Sequence, residues 1–223
     1  MTNFFETLFR VLPSFLPFLL EGAKVAVQIA FGALIIAIVL GLFLAIMLVM
    51  RIKVVRFLAR SYVEIMRGTP ALLQLFIIYF GLSDIGLSLS PMAAAIIGLG
   101  ANGSAYLAEV FRAGIGAIDK GQKDAALSLG LPPIEMMRFV ILPQAIRIML
   151  PPLVNYAVQL LKDTTLASSV AAPEMMFRAR NLVMETYLSM QIYLLVACIY
   201  LTICIPLSRL ASRLHKPNRG AAH

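Results

Sequence analysis

Two short runs place ionisable and polar side chains where the chain is otherwise apolar. Leu161-Lys162-Asp163-Thr164-Thr165-Leu166, with Gln159 just ahead, lies in an apolar stretch from about Ile148 to Ala172. Lys162 and Asp163 are adjacent, so on a helix they diverge by about 100° and do not pair with each other. Gln159 sits on the Lys162 face, three residues earlier. An ionisable group inside a membrane costs about 2.5–3.5 kcal/mol at mid-helix on insertion scales, so such groups face a cavity or a partner. Two readings stand: an inter-helix salt bridge or snorkelled lysine, or a solute path bordered by Gln159, Lys162, Asp163, Thr164 and Thr165. The cluster offers a cation, an anion, hydroxyls and an amide, a set that suits a zwitterion. The second run is Arg67-Gly68-Thr69-Pro70. Pro70 lacks a backbone donor and Gly68 loosens the same turn, so free carbonyls are expected near residue 66. Either the helix merely curves there, or it breaks and presents backbone groups to a solute.

No constellation for covalent or metal chemistry accompanies these groups. The sequence has no HExxH and no Cys/His cluster, and Cys198 and Cys204 share one apolar run, which suggests neither a disulfide framework nor a metal site. Gly98-x-Gly100-x-x-Gly103 has dinucleotide-fingerprint spacing but opens no strand–turn–helix unit, and close helix approach explains it better. Gly116 to Gly121 is followed by Gln122-Lys123 rather than the Lys-Ser/Thr of a phosphate loop. Asn102-Gly103-Ser104, a formal glycosylation acceptor, is buried in an apolar span and expected to be inert. The chain alone is expected to hydrolyse no ATP and to hold no cofactor or metal.

The elements that position the polar groups follow from composition. Of 223 residues, 61% are hydrophobic and 13% charged, against roughly 45–50% and about 25% in soluble domains. Lipid is therefore the solvent of much of the surface. About 20 apolar residues cross a bilayer as a helix. Val25–Met50 is the clearest run; Thr69–Leu82 (extended backwards), Pro91–Val110, Ile148–Ala172 and Gln191–Leu207 follow. These predict an all-α integral membrane protein with about five transmembrane helices, since the runs lack the period-2 alternation of a barrel. Pro13 and Pro17 break the first 22 residues, which are expected to lie along the outer interface as a separate segment (1–22) rather than to make a sixth crossing, the alternative left open, ahead of a membrane domain (23–212) and a cytoplasmic tail (213–223).

The basic residues orient the chain. Fourteen of the 19 Lys and Arg residues follow the first span, lie between the third and fourth, or follow the fifth; Arg10, Lys24, Arg178 and Arg180 lie opposite. The positive-inside rule then puts the N-terminus outside and the C-terminus in the cytoplasm. The net charge of +8 is thereby topological and calls for no nucleic acid. Glu64 with Arg67, and Glu109 with Arg112, stand three apart and read as structural ion pairs at the cytoplasmic rim. Tyr79 and Tyr106 read as interfacial or packing aromatics.

Between the third and fourth spans, residues 113–147 form a segment far longer than the usual connection of about 4–6 residues. Gln122 to Leu129 predicts a short helix ended by Gly130, and Pro132-Pro133 opens a second one reaching about Val140, before Pro143. The segment is either a well-ordered re-entrant connection or a rigid knob that docks into a partner protein.

Asp124-Ala125-Ala126, three residues, Gly130, nine residues, then Val140-x-Leu142-Pro143 resembles the EAA loop of bacterial ABC-importer permeases. Asp124 stands where Glu is usual and Val140 where Ile is usual. Tyr62-Val-Glu64-Ile-Met-Arg67-Gly68-Thr69-Pro70-Ala-Leu-Leu-Gln74 through Gly81 resembles the second-span signature of polar amino-acid permeases. So do Ala105-Tyr106-Leu-Ala-Glu109-Val-Phe-Arg112, Lys120-Gly121-Gln122, and Leu161 to Leu166. The resemblance covers most of positions 60–175. It implies the type I ABC-importer permease fold in the bacterial inner membrane. Asp124, Ala125, Ala126, Gly130, Leu142 and Pro143 would couple the chain to ATPases. Arg67, Gly68, Thr69 and Gln74 would join the solute path. The implied partners are a second permease chain, identical or homologous, two ATP-binding subunits carrying ATP and magnesium, and an external solute-binding protein. The implied solute is a polar amino acid or a related compound such as an opine. An ion-coupled secondary carrier or channel is the rival reading, and it has no evident use for the cytoplasmic knob.

Overall fold

The computed structural model describes residues 4–214, and among these every regular element is helical. Four helices are long and apolar enough to cross a bilayer, and a bent pair supplies a fifth span if its two pieces count as one.

The first helix, α1 (Phe4–Val49), is continuous over 46 residues, about 69 Å at 1.5 Å per residue. No break falls at residue 22, where the expected outer segment ends, and Pro13 and Pro17 lie inside the helix rather than breaking it. Their missing donors are tolerated within apolar surroundings, where the rest of the helix keeps its own backbone bonds. The end of α1 near residue 19 is held by a core of Leu19, Ala23, Met175, Ala179 and Ile192.

The second span is two helices, α2 (Lys53–Gly68) and α3 (Ala71–Asp84), meeting at 107°. Thr69 and Pro70 sit in extended backbone at the break, so the chain turns rather than curves. Next, α4 (Pro91–Gly116) begins with the Ser90 hydroxyl accepting from Ala93 N and with proline in its first turn. It is the central helix: 61% of its most apolar stretch is buried, against 22–28% in the other long spans. Its small residues allow this. Gly100 lies so near Ile36 of α1 that an added Cβ would stand 2.7 Å from the Ile36 Cβ. The close-approach reading of those glycines agrees with this geometry.

A short helix, α5 (Lys120–Ser128), is capped by the Asp119 carboxylate, which accepts from Gly121 N at 2.7 Å. It ends in a Schellman turn, with Gly130 N donating to Leu127 O at 2.9 Å and Leu131 N to Ala126 O at 3.1 Å. Gly130 has φ +72°, the left-handed conformation that disfavours a Cβ.

The expected second knob helix does not stop before Pro143. It continues as α6 (Pro133–Val170), with a π-helical turn over Met137–Ile141 and a 3₁₀ turn at Thr164–Val170. The π turn shifts the hydrogen-bond register just where Pro143 lacks a donor, so the proline is absorbed without a break. The wholly buried Glu174 then caps α7 (Met175–Thr186), accepting from Met176 N and Phe177 N at 2.8 Å each. Burial pushes its carboxyl up to about 7 against the opposing pull of those amides. The chain closes with α8 (Ser189–Leu214). That helix runs through 213, and the remainder of the expected tail lies outside the described residues.

Candidate functional site: a polar cavity at the broken span

A cavity of about 460 Å³ opens where α2 breaks, lined by Met66, Arg67, Thr69, Ala71, Asn102, Tyr106, Asn155, Tyr156 and Gln159. This volume suits a small-molecule ligand. Three elements build it. The end of α2 supplies Arg67 and Thr69. Asn102 and Tyr106 come from one face of α4, four residues apart, and Asn155 and Gln159 repeat that spacing on α6. Tyr106 and Tyr156 stack as an aromatic wall, with centroids 5.1 Å apart and planes inclined by 24°. Tyr156 reaches this position because residue 103 is glycine; a Cβ there would overlap its hydroxyl and lie 2.7 Å from its Cζ.

The backbone freed by the break is not handed to the cavity. Met66 O accepts from Gln74 Nε2 at 2.9 Å and from Asn102 Nδ2 at 3.1 Å. Gln74 Nε2 also lies 3.1 Å from Thr69 O and 2.7 Å from Thr69 Oγ1, and Thr69 Oγ1 donates to Ile65 O at 2.8 Å. Asn102 Nδ2 completes the network by donating to Gln74 Oε1 at 3.1 Å. The expectation of free carbonyls near residue 66 is thus corrected. A buried carbonyl without a donor is costly, and Gln74, itself buried, supplies the donor.

Both Asn102 donors are spent in this network, so its Oδ1 is the atom left to meet a ligand. Gln159 Nε2 likewise donates to Asp163 Oδ1 at 2.9 Å, leaving its own Oε1. Arg67 and Asn155 supply donors. The lining therefore carries one guanidinium, amide donors, amide acceptors and an aromatic wall.

The sequence-nominated residues separate in space. Arg67, Thr69 and Gln159 line the cavity, and Asp163 stands behind Gln159. Gln159 pairs with Asp163 four residues on, not with the Lys162 face. Lys162 is exposed on the α6 side toward Cys204 of α8 and does not line the cavity. Thr164 is fully buried with its hydroxyl donating to Leu161 O at 2.7 Å, and Thr165 Oγ1 donates to Lys162 O at 2.9 Å. Both hydroxyls thus serve the 3₁₀ turn that ends α6. Gly68 is exposed at the break, and nothing stands within 4 Å of where its Cβ would be.

The ion pairs also rearrange. Arg112 Nε donates to Glu109 Oε2 at 2.9 Å as expected, but Glu64 faces Arg60 at 4.0 Å instead of Arg67. Arg67 is turned to the cavity. Asn102, Asn155, Tyr106 and Tyr156 were missed by sequence reasoning. The available signal was an amide or tyrosine repeated at four-residue spacing inside two apolar spans.

On the knob, Asp124 and Ala125 are exposed, while Ala126 is buried and turned inward. Leu142 and Pro143 are exposed on the first turns after the π segment. Gln144 Nε2 stitches the two helices, lying 3.2 Å from Gln122 Oε1 and 2.8 Å from Val140 O. Leu129 and Ile134, each 81% exposed, and Phe139 present an apolar surface around Gly130.

Helices long and apolar enough to span a bilayer, with a polar cavity at the break in one of them, fit a membrane transport protein. Its residues 37–219 match the model of the binding-protein-dependent transport system inner membrane component family, and the chain belongs to that family. It is 39% identical over 188 residues to the probable amino-acid ABC transporter permease protein YckA of Bacillus subtilis, covering 84% of this chain and 83% of that one. With the putative glutamine transport system permease protein GlnP of Rickettsia felis it shares 38% identity over 95% of this chain and 97% of that one. The arginine transport system permease protein ArtQ of Bacillus subtilis is 35% identical over 86% and 89%. A chain of an amino acid ABC transporter crystallised with histidines superimposes with a TM-score of 0.87 at 35% identity, covering 96% and 97%. The MetNI methionine ABC transporter in its inward-facing form shares the fold, with a TM-score of 0.70 at 18% identity over 89% and 97%. The fold class expected from sequence, an all-α type I importer permease with about five spans, agrees with these likenesses and with the four or five candidate spans.

Proposed function

We propose that this chain is the permease subunit of an ATP-driven importer for a polar amino acid or a related zwitterion. The observation that carries the reading is the distribution of free groups around the cavity. Arg67 and the Asn155 amide are donors for a carboxylate, and Asn102 Oδ1 with Gln159 Oε1 are acceptors for an ammonium. The tyrosine wall takes the apolar part of the solute. Relatives named for amino acids support this class of solute.

In this reading the knob around Asp124, Ala125 and Gly130 seats in a separate ATP-hydrolysing subunit, with Leu129, Ile134 and Phe139 buried in the contact. Two such subunits serve two permease chains, and an external binding protein delivers the solute. Closure of the ATPases draws the knobs together, and α6, continuous from knob to cavity wall, carries that movement to the solute. The knob and the C-terminus lie in the cytoplasm and the N-terminus outside. Lys162 and Asp163 act differently: Asp163 fixes Gln159, and Lys162 serves a neighbouring surface.

The test is uptake of labelled amino acids into proteoliposomes holding this chain, its ATPase partner and its binding protein. ATP-dependent accumulation that collapses in Arg67→Ala and Asn102→Ala supports the reading. Accumulation driven by an ion gradient without the ATPase would establish the secondary-carrier alternative instead.

A further inference from the structure

A second cavity, about 290 Å³, lies at the start of α2 and is lined by Lys53, Arg56, Phe57 and Arg60. These positions follow the i, i+3, i+4, i+7 spacing of one helix face, and all four are exposed. Little in the chain neutralises them. Lys53 has no acidic partner among the described residues, and Arg60 meets Glu64 only at 4.0 Å, with both side chains about 70% exposed. Such a surface pair contributes little. Arg56 is held in place, its Nε and Nη2 reaching Met50 O at 3.2 and 2.9 Å. The cluster is unfavourable for α2 itself. No acidic residue stands in the first turn and Ile52 provides no side-chain cap, so Lys53 and Arg56 oppose the positive end of the helix dipole.

The surroundings say what kind of anion compensates this. The cavity lies four residues beyond the end of the long apolar α1, on the side of the chain where most basic residues collect. Ile52, Val54, Phe57 and Leu58, each between 57% and 68% exposed, interleave with the cations. Cations flanked by exposed apolar side chains at the end of a span fit a ligand with an anionic head and an apolar body. A soluble anion would leave those apolar groups in water.

We propose that this face binds an anionic phospholipid. Its phosphodiester is held between Lys53 and Arg60 against the fixed Arg56 guanidinium, and its glycerol and acyl chains lie along Phe57, Val54 and Leu58. The site is separate from the solute cavity, so it stands or falls independently of the transport reading.

The experiment uses the assembled, detergent-purified transporter, delipidated and then equilibrated with phosphatidylcholine vesicles containing phosphatidylglycerol or cardiolipin. Native mass spectrometry counts the lipids retained. Lys53→Gln/Arg60→Gln is expected to lower retention of the anionic lipid, roughly fivefold per charge removed, and to leave phosphatidylcholine unchanged. Arg10→Gln/Arg180→Gln, a charge-matched pair on the opposite side, is expected to retain both. Equal retention in the double variant and the wild type overturns the proposal. So does displacement of the lipid by glycerol phosphate or inorganic phosphate at millimolar concentration, which would identify a headgroup site without acyl contact. A benzophenone cross-linker at position 57 in the otherwise unchanged chain gives a second readout. Labelling of lipid supports the site, and labelling of a partner subunit instead identifies an acidic protein surface and refutes it.

Discussion

Gly103→Ala should damage the solute cavity from behind. The added methyl would overlap the Tyr156 hydroxyl and stand 2.7 Å from its Cζ, inside any relaxed carbon–carbon contact. Apart from the cavity it lines, the ring is hemmed in. Its other face is stacked on Tyr106, and it packs into the cores formed by Ala37, Leu107 and Met149 on one side and by Ile29, Leu99 and Leu160 on the other. Either α4 and α6 move apart or the tyrosine swings into the cavity it lines. Overpacking of this kind costs about 1–3 kcal/mol, and a wall displaced by even half an ångström misplaces Asn155 and Gln159 on the same helix. Thermal unfolding in detergent and solute-stimulated ATP hydrolysis of the assembled transporter measure the two effects. Both should fall, with solute affinity falling more than basal hydrolysis. Tyr156→Phe removes the nearest clashing atom but leaves Cζ in place, so the double variant should recover part of the stability. A Gly103→Ala protein with unaltered stability and solute response refutes the packing argument, as does strict additivity in the double variant.

Gln74→Leu keeps the volume but takes the side-chain donor from Thr69 O and the acceptor from Asn102, leaving Met66 O with Asn102 alone, so stability should drop by about 1–3 kcal/mol, and thermal unfolding would show it; Gln74→Glu, which keeps an acceptor for Asn102, should not restore it. At Gly130, held at φ +72°, alanine should cost about 1 kcal/mol in the Schellman turn and proline or Asp124→Lys should abolish uptake, while membrane insertion, read by fractionation, stays normal. Glu174 titrates near 7 when folded against 4.5 for an ordinary glutamate. The unfolded chain therefore loses this proton first, and the stability present below pH 4.5 declines as pH rises toward 7, by roughly 3 kcal/mol in total. Melting temperatures from pH 5 to 8 should fall for wild type and stay flatter for Glu174→Gln.

The spans were legible because lipid imposes a simple rule: enough consecutive apolar residues, with backbone polar groups satisfied internally. Gly130 was legible for a related reason, since its backbone role depends on near neighbours alone, whereas the Asp119 cap ahead of the expected helix start was missed. The cavity was not, because its walls are set by tertiary neighbours. Asn102 read as an inert glycosylation acceptor and Tyr106 as packing, and only the crossing of α4 with α2 and α6 joins them to Arg67 and Gln159. Pro13, Pro17 and Pro143 misled in one direction. Sequence rules for proline are weighted toward water-exposed helices, whereas here apolar surroundings and a π turn let the helix continue. Glu64 misled through geometry, since Arg60 and Arg67 both lie within helical reach and the cavity draws Arg67 away.

The network behind the cavity joins a lining side chain to the backbone of the broken span. Asn102 contributes both its hydrogens to holding the broken span, one to Met66 O and one to Gln74 Oε1, and keeps only its carbonyl oxygen for a ligand. On the proposed reading, a solute ammonium at that oxygen would polarise the same amide and strengthen both donated bonds. Occupancy of the cavity would then tighten the 107° corner through Asn102, which lines the cavity, and through Gln74, which does not. A break in a membrane helix otherwise leaves costly unpaired groups; here the groups that repair it stand next to the cavity.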